Sequence, residues 1–175
     1  MEEAVKDRAA ITGADYQALQ AVEGWLALGN PREALLEWER VSRKNRQHPQ
    51  VMNARWQIAA ALKDWEAALT TANRMMELHP NDPGSWIQQA YALRRAPSGG
   101  LQQAWDTLVK AYQKFPAVSL IPYNLACYAA QLAKPSDAWD WLHRAIEAAE
   151  DVATIKEMAL KDEDLKPIWD RIKTI

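Results

Sequence analysis

Apolar residues recur along most of this chain at spacings of three and four, which is the period of an amphipathic helix. Within this periodicity, alanines stand at four places separated by 34, 36 and 34 residues: Ala34, Ala68, Ala104 and Ala138. Seven positions after each of them stands a second aliphatic residue: Val41, Met75, Ala111 and Ala145. No segment shows the alternation that is typical of strands. The pattern predicts one helix-hairpin unit written four times.

Helix boundary signals lie between and within the predicted units. Asn30-Pro31 and Asp82-Pro83 are each typical of an N-cap followed by proline at the first helical position. His79-Pro80 predicts a helix end, because the residue before proline is pushed out of the helical region. Residues 95–100 contain a proline and two glycines and predict a loop two residues longer than its counterparts, which explains the 36-residue spacing. The last hairpin is expected to turn at residues 134–137.

The third unit has the fullest motif. Its matching residues are Trp86, Ala90, Ala104, Leu108 and Pro116. They resemble the tetratricopeptide repeat (TPR), which reads W-x2-L-G-x2-Y, then A-x3-F, then P. The other units match in part, and the fourth has Glu150 where the closing proline would stand. Four partial matches in phase are stronger evidence for a repeat than one good match.

The resemblance implies an all-α fold, a right-handed TPR superhelix (α-solenoid) of four helix pairs followed by a C-terminal capping helix. The repeat region of residues 14–150 would hold four units of about 15–48, 49–82, 83–118 and 119–152. Residues 151–175 would form the capping helix and a tail, with an acidic turn at 162–164 between them. Residues 1–13 form a lead, for which order and disorder both stay open.

The resemblance also implies that the first helix of each pair lines a concave groove. Its second, fifth, ninth and twelfth positions share one stripe by helical spacing. In the first two units the candidate ligand- or peptide-binding positions are Tyr16, Leu19, Glu23 and Leu26, then Gln50, Asn53, Gln57 and Ala60. In the last two they are Ile87, Tyr91, Arg94, Tyr123 and Cys127. The alternative, that these are solvated surface residues without a ligand, stays open.

Some TPR domains hold the C-terminal carboxylates of heat-shock chaperones with lysine, asparagine and arginine in the groove. Here Leu19 and Glu23 stand where the first such pair would be, and Ile87 replaces the lysine of the third unit. Glu23 would repel a carboxylate. The sequence therefore predicts that chaperone tails are not ligands, while Asn53 remains a candidate for paired hydrogen bonds with a peptide backbone.

Charge and composition narrow the remaining chemistry. The net charge of −2 disfavours a nucleic-acid partner, for which a basic stripe is expected. A single cysteine excludes an intramolecular disulfide, and the three histidines lack metal-ligand spacing. No apolar run reaches the roughly 18 residues of a membrane span, and the charged N-terminus does not resemble a secretory signal. We expect no cofactor, no metal, no membrane association, a cytoplasmic location and a monomer or weak homodimer.

Nine tryptophans and one cysteine are the most conspicuous side chains. Four tryptophans lie on the apolar stripes and are expected in the core: Trp38, Trp56, Trp86 and Trp105. Trp139 and Trp141 are two apart and cannot share a helix face, so we expect the tail around Trp169 to cover Trp141. Cys127 is expected to be a small buried residue and not a nucleophile. A nucleophilic cysteine needs a nearby base, and the three histidines occupy other positions of the repeat.

The sequence contains repeats but no catalytic constellation. The leading hypothesis is a non-enzymatic protein–protein interaction module that binds a peptide segment or a partner helix in the groove, as an adaptor, scaffold or assembly factor. Two alternatives stay open. One is self-association through a terminal helix face near Trp141 and Trp169, which light scattering tests. The other is a regulatory subunit of an enzyme complex.

Overall fold

A computed structural model describes residues 11–174 of the chain. All regular structure in these residues is helical. The α helices are α1 (Gly13–Ala27), α2 (Pro31–Glu39), α3 (Pro49–Ala61), α4 (Trp65–Leu78), α5 (Pro83–Leu93), α6 (Leu101–Lys114), α7 (Leu120–Gln131), α8 (Pro135–Glu147), α9 (Val152–Lys161) and α10 (Trp169–Ile172). Two 3-10 helices lie at Arg43–Asn45 and Glu163–Ile168. Most of the predicted lead, residues 1–10, lies outside the described residues.

The chain forms two compact units, an N-terminal unit (Met1–Pro80) and a C-terminal unit (Asn81–Ile175). The division falls two residues from the predicted boundary between the second and third repeats. Within residues 11–174, none of the helices combines the length and the apolar character that a bilayer crossing needs.

The repeated alanines lie where the two helices of each hairpin meet. All four are fully buried: Ala34, Ala68, Ala104 and Ala138. The aliphatic residues seven positions later are also buried: Val41, Met75, Ala111 and Ala145. A larger side chain at such a position would overpack the interface by about 1–3 kcal/mol. The spacing read from the sequence therefore marks the hairpin interfaces of the fold.

Three of the four hairpins turn in the same way. Gly29, Lys63 and Ala133 each follow the first helix of a pair with φ between 57° and 72°. This left-handed conformation suits glycine and strains the other two residues. In the third hairpin the loop is longer, and a Cβ on Gly99 would lie 2.2 Å from the carbonyl oxygen of Leu93. That close approach explains the glycine.

The helix caps follow the sequence signals in part. The Asp82 carboxylate accepts hydrogen bonds from the backbone N–H groups of Gly84 and Ser85, at 3.2 and 3.0 Å. Asn30 occupies the N-cap position of α2, but its side chain makes no capping hydrogen bond. The predicted turn at 134–137 is too long, because α8 already begins at Pro135.

A carboxylate joins the beginning of the N-terminal unit to the segment after α2. Asp15 accepts hydrogen bonds from the backbone N–H of Ser42 at 2.8 Å, from its hydroxyl at 2.5 Å, and from the amide of Asn45 at 2.6 Å. These bonds, chiefly those from Ser42, lower the pKa of Asp15.

Helix α7 lies at the centre of the C-terminal unit. Nine of its 12 residues are buried, which is expected of a helix that is covered on all sides. Helices α6 and α8 and the 3-10 helix Glu163–Ile168 pack around it. Leu165, Ile168 and Ile172 are buried in the same core. The tail therefore covers the end of the repeats, as the sequence predicts.

The acidic segment between α9 and the tail is more ordered than a simple turn. Asp162 is the N-cap of the 3-10 helix, and its side chain accepts a hydrogen bond from the backbone N–H of Asp164 at 3.0 Å. The acidic turn predicted at residues 162–164 is thus the beginning of the 3-10 helix Glu163–Ile168.

The aromatic contacts of Trp141 are with α6, whereas the sequence predicted a cover from the tail around Trp169. The aromatic partners of Trp141 are Trp105 at 6.0 Å and Tyr112 at 5.1 Å between ring centroids, both on α6 and both edge-on. The tail instead places the guanidinium of Arg171 4.2 Å from the ring of Trp139. The indole N–H of Trp169 donates to the backbone carbonyl of Ala159 at 2.9 Å. The four tryptophans expected in the core, Trp38, Trp56, Trp86 and Trp105, are half-buried.

Candidate functional site

The first helices of the N-terminal unit, α1 and α3, contact each other. Among the predicted groove positions on them, Tyr16 is 50% exposed, and Glu23, Gln50 and Gln57 are exposed. Asn53 is half-buried. We call this set, Tyr16, Glu23, Gln50, Asn53 and Gln57, the α1–α3 face. It combines one aromatic side chain, three amides and one carboxylate.

Not every predicted position of this unit lies on the surface. Leu19 is only 7% exposed and packs with Val22 and Ile58 in the core. Leu26 and Ala60 are half-buried. The predicted stripe of positions two, five, nine and twelve is therefore not fully exposed in α1, because its fifth position, Leu19, is part of the core.

In the C-terminal unit, a predicted groove residue is bound by the chain itself. Both terminal nitrogens of Arg94, just after α5, donate to the two carboxylate oxygens of Asp164, one of them at 2.8 Å. The two side chains are 18% and 25% exposed. Planar guanidinium and carboxylate groups match in this two-bond geometry, which makes it stronger than a single contact. The bond pair also raises the pKa of Arg94.

Two further groove positions face the same acidic segment. The hydroxyl of Tyr123 lies 3.1 Å from a carboxylate oxygen of Asp162, and the sulfur of Cys127 lies 3.4 Å from that oxygen. The amide of Gln131 donates to the backbone carbonyl of Asp164 at 3.4 Å. Tyr123 and Cys127 are buried, at 5% and 3% exposure. They are structural contacts of the C-terminal segment and offer little surface to a ligand.

Cys127 has the environment of an inert thiol. Burial, together with the negative charge of Asp162, raises its pKa well above the usual value. A nucleophilic cysteine needs the opposite shift. Cys127, Asp162 and Asp164 also have one potential ligand atom each within 4.8 Å of one another. Asp164 is already paired with Arg94, whose positive charge disfavours a cation at this place.

The remaining predicted positions lie on α5. Ile87 is half-buried against the core of the C-terminal unit. Tyr91 is half-buried under the guanidinium of Arg95, which lies 3.5 Å from its ring centroid. Arg95 also donates to the backbone carbonyl of Tyr91 at 3.1 Å. The sequence predicted neither the contact of Tyr91 with Arg95 nor the pairing of Arg94 with Asp164, although the charges of Arg94 and of residues 162–164 are complementary.

Solved structures with the same fold are TPR proteins. A TPR protein of Thermus thermophilus, TTC0263, has a TM-score of 0.67 at 19% identity, over 92% of this chain and all of that one. MamA from Desulfovibrio magneticus RS-1 has a TM-score of 0.65 at 18% identity, over 94% of each chain. A further MamA structure has a TM-score of 0.64 at 12% identity, over 92% of this chain and 87% of that one.

These likenesses confirm the fold that the repeated alanines predict. No protein-family model and no curated protein sequence matches the chain. The described residues have an all-α fold similar to that of a solved TPR protein, with two helix hairpins in each compact unit and additional helices after the last hairpin.

Proposed function

We propose that the chain is a non-enzymatic protein-interaction module and that its N-terminal unit binds a segment of a partner protein on the α1–α3 face. In this role the chain serves as an adaptor or assembly factor. The observation that supports the proposal most directly is the exposure of Tyr16, Gln50 and Gln57 on two first helices that pack against each other.

The side chains of this face suit a peptide ligand. A side-chain amide has both a donor and an acceptor, so Asn53 and Gln57 match the N–H and C=O groups of an extended peptide. Tyr16 supplies apolar area with a polar tip, and its hydroxyl accepts a hydrogen bond from Gln20 at 2.8 Å. Tyrosines of this kind frequently contribute most of the energy at interfaces. Because helices hold these groups, little conformational entropy is lost on binding.

The C-terminal unit supports the proposal by analogy. There, the first-helix positions Tyr123 and Cys127 contact Asp162, and Arg94 holds Asp164. The acidic segment thus lies against Cys127, the ninth position of its repeat. The ninth positions of the N-terminal unit, Glu23 and Gln57, are exposed and polar, which is what an intermolecular segment requires.

Site-specific cross-linking tests this function. A photoreactive amino acid at position 57 should capture a partner from the native cell, and the captured protein should be identified by mass spectrometry. Asn53→Ala combined with Gln57→Ala should weaken binding of the purified partner by about tenfold or more, since each change removes hydrogen bonds to the peptide. Gln103→Ala, an exposed amide on α6, is the matched control. Equal loss in the control, or none in the double variant, would contradict the proposal.

A further inference from the structure

A cationic cavity lies on another side of the N-terminal unit. It has a volume of about 510 Å³ and is lined by residues of α2, α3 and α4 and of the segment after α2. Its lining includes three arginines, Arg46, Arg55 and Arg74. None of its lining residues in the described part of the chain is acidic. This concentration of positive charge is local, because the chain as a whole has a net charge of −2.

Two of these arginines have no carboxylate partner within residues 11–174. Arg46 donates to the backbone carbonyls of Glu39 at 2.9 Å and Val41 at 3.3 Å, which fix its position without neutralising its charge. Arg55 makes a cation–π contact, its guanidinium carbon 5.6 Å from the centroid of Trp38. The guanidinium of Arg46 lies 4.9 Å from the same ring. Only Arg74 is paired, with Glu77 at 2.7 Å.

Within residues 11–174, no carboxylate balances the positive charges of Arg46 and Arg55. Two positive charges lie beside one indole ring and repel each other. The indole itself is held in place, because its N–H donates to the backbone carbonyl of Val51 at 2.8 Å. A carboxylate that enters the cavity would be attracted by both guanidinium groups and would accept charge-assisted hydrogen bonds, the kind that arginine favours.

The cavity also has an apolar part, which includes Trp38 and the buried Met52. A free inorganic anion has no use for such a surface, whereas a peptide with an acidic and an apolar side chain uses both. We propose that this cavity binds an acidic segment of a partner protein, with a carboxylate attracted by Arg46 and Arg55 and an apolar side chain against Trp38 and Met52.

This site is separate from the α1–α3 face. Arg55 follows Asn53 by two residues, which is about 200° around an α helix at 3.6 residues per turn. The two side chains therefore leave α3 on nearly opposite sides. The proposal does not rest on the function proposed for the α1–α3 face, and an experiment can disprove one of the two sites without affecting the other.

The test uses the whole chain and defined probes. Fluorescence anisotropy measures binding of a fluorescein-labelled ten-residue peptide that contains glutamates around a central leucine. The matched probe has glutamine in place of every glutamate, and inorganic phosphate is added as a competitor. We expect the acidic peptide to bind at least tenfold more tightly than the amide peptide, and its affinity to fall as salt is raised. Equal binding of both peptides, or binding of phosphate without the acidic peptide, would overturn the proposal.

Substitutions locate the binding. Arg55→Ala should weaken the acidic peptide by about tenfold, whereas Arg32→Ala, which removes the same charge from an exposed place on α2 outside the cavity, should change it less than twofold. Similar losses in both variants would show a general charge effect and overturn the assignment. Asn53→Ala should leave this peptide bound, which separates the site from the α1–α3 face.

A second substitution avoids removing the cation–π contact of Arg55. Thr70 lines the cavity and is exposed on α4, so Thr70→Glu places a carboxylate beside the arginines without disturbing the core. It should abolish binding of the acidic peptide, and Thr70→Gln, of similar size, should keep it. Retained binding in the Thr70→Glu variant would contradict the site even if Arg55→Ala fails to fold.

Discussion

The N-terminal and C-terminal units are built from the same helix hairpin, but their first helices have different surroundings. In α3 of the N-terminal unit, five of 13 residues are buried, whereas in α7 of the C-terminal unit nine of 12 are buried. The difference comes from the segment after α9, which packs Leu165 and Ile168 against the core around α7 and places Asp162 and Asp164 beside it. The same repeat position is thus core in one unit and surface in the other, depending on whether a later segment of the chain packs over it.

The first helices of the two units differ in what their repeat positions contact. In the C-terminal unit the positions Arg94, Tyr123 and Cys127 stabilise the fold through the chain's own acidic segment. In the N-terminal unit Gln50 and Gln57 remain exposed. We infer that stability and recognition are divided between the units, and substitutions in each should therefore have different consequences.

The largest expected effect is on the packing of the C-terminal segment. Leu165 is fully buried, so Leu165→Ala should lower the free energy of unfolding of the C-terminal unit by about 2–5 kcal/mol, through lost transfer energy and the cavity left behind. Hydrogen exchange measured by mass spectrometry should show lost protection in α7 and α8 and little change in α1 and α3.

A leucine on the other unit is the control for this change. Leu36 on α2 is 56% exposed, and Leu36→Ala should alter stability by no more than about 0.5 kcal/mol. If Leu165→Ala were equally mild, the tail would not be part of the core, and the contrast between the two units would disappear.

The ion pair between Arg94 and Asp164 should have a smaller effect. Arg94→Ala leaves Asp164 half-buried without its partner and should destabilise the C-terminal unit by about 1.5–3 kcal/mol. Cys127, which lies beneath the same segment, should then react faster with a thiol reagent at neutral pH, by about tenfold if the loss appears as local opening. Arg94→Ala combined with Asp164→Ala should cost less than the two single changes added together. Strict additivity would show that the pair contributes nothing.

In the N-terminal unit, Asp15 predicts a pH-dependent effect. Its folded pKa is below the usual 3.8, so the unfolded chain binds the proton more readily. The stabilisation is therefore present above about pH 4 and is lost as the pH falls through the lowered folded value. Asp15→Asn should lower the melting temperature at pH 7, and its difference from the wild type should shrink below pH 4. Asp140→Asn, an exposed residue of α8, is the control, and a difference independent of pH would refute the assignment.

The fold could be predicted from periodicity because helix formation and hairpin packing depend on residues that are close in sequence. Buried alanines such as Ala34 and Ala104 repeat wherever two helices must approach closely, and cap signals such as Asp82-Pro83 act within one turn. The placement of the candidate site depended on contacts distant in sequence. Arg94 and Asp164 are 70 positions apart, and no helical period links them. The cavity around Trp38 was missed for the same reason, because its arginines come from three separate segments.

The smallest expected effect concerns backbone freedom in α1. Gly24 lies inside this helix, and a Cβ there would meet no atom within 4 Å. Gly24→Ala should therefore stabilise the N-terminal unit by about 0.5–1 kcal/mol, because alanine loses less conformational entropy on folding. Gly29→Ala is the matched control. A Cβ at Gly29 also finds open space, but its φ of 72° is one that alanine disfavours, so this change should be destabilising. Thermal melts of the two variants should shift in opposite directions, and shifts of the same sign would show that space around the Cβ, and not backbone conformation, decides the outcome.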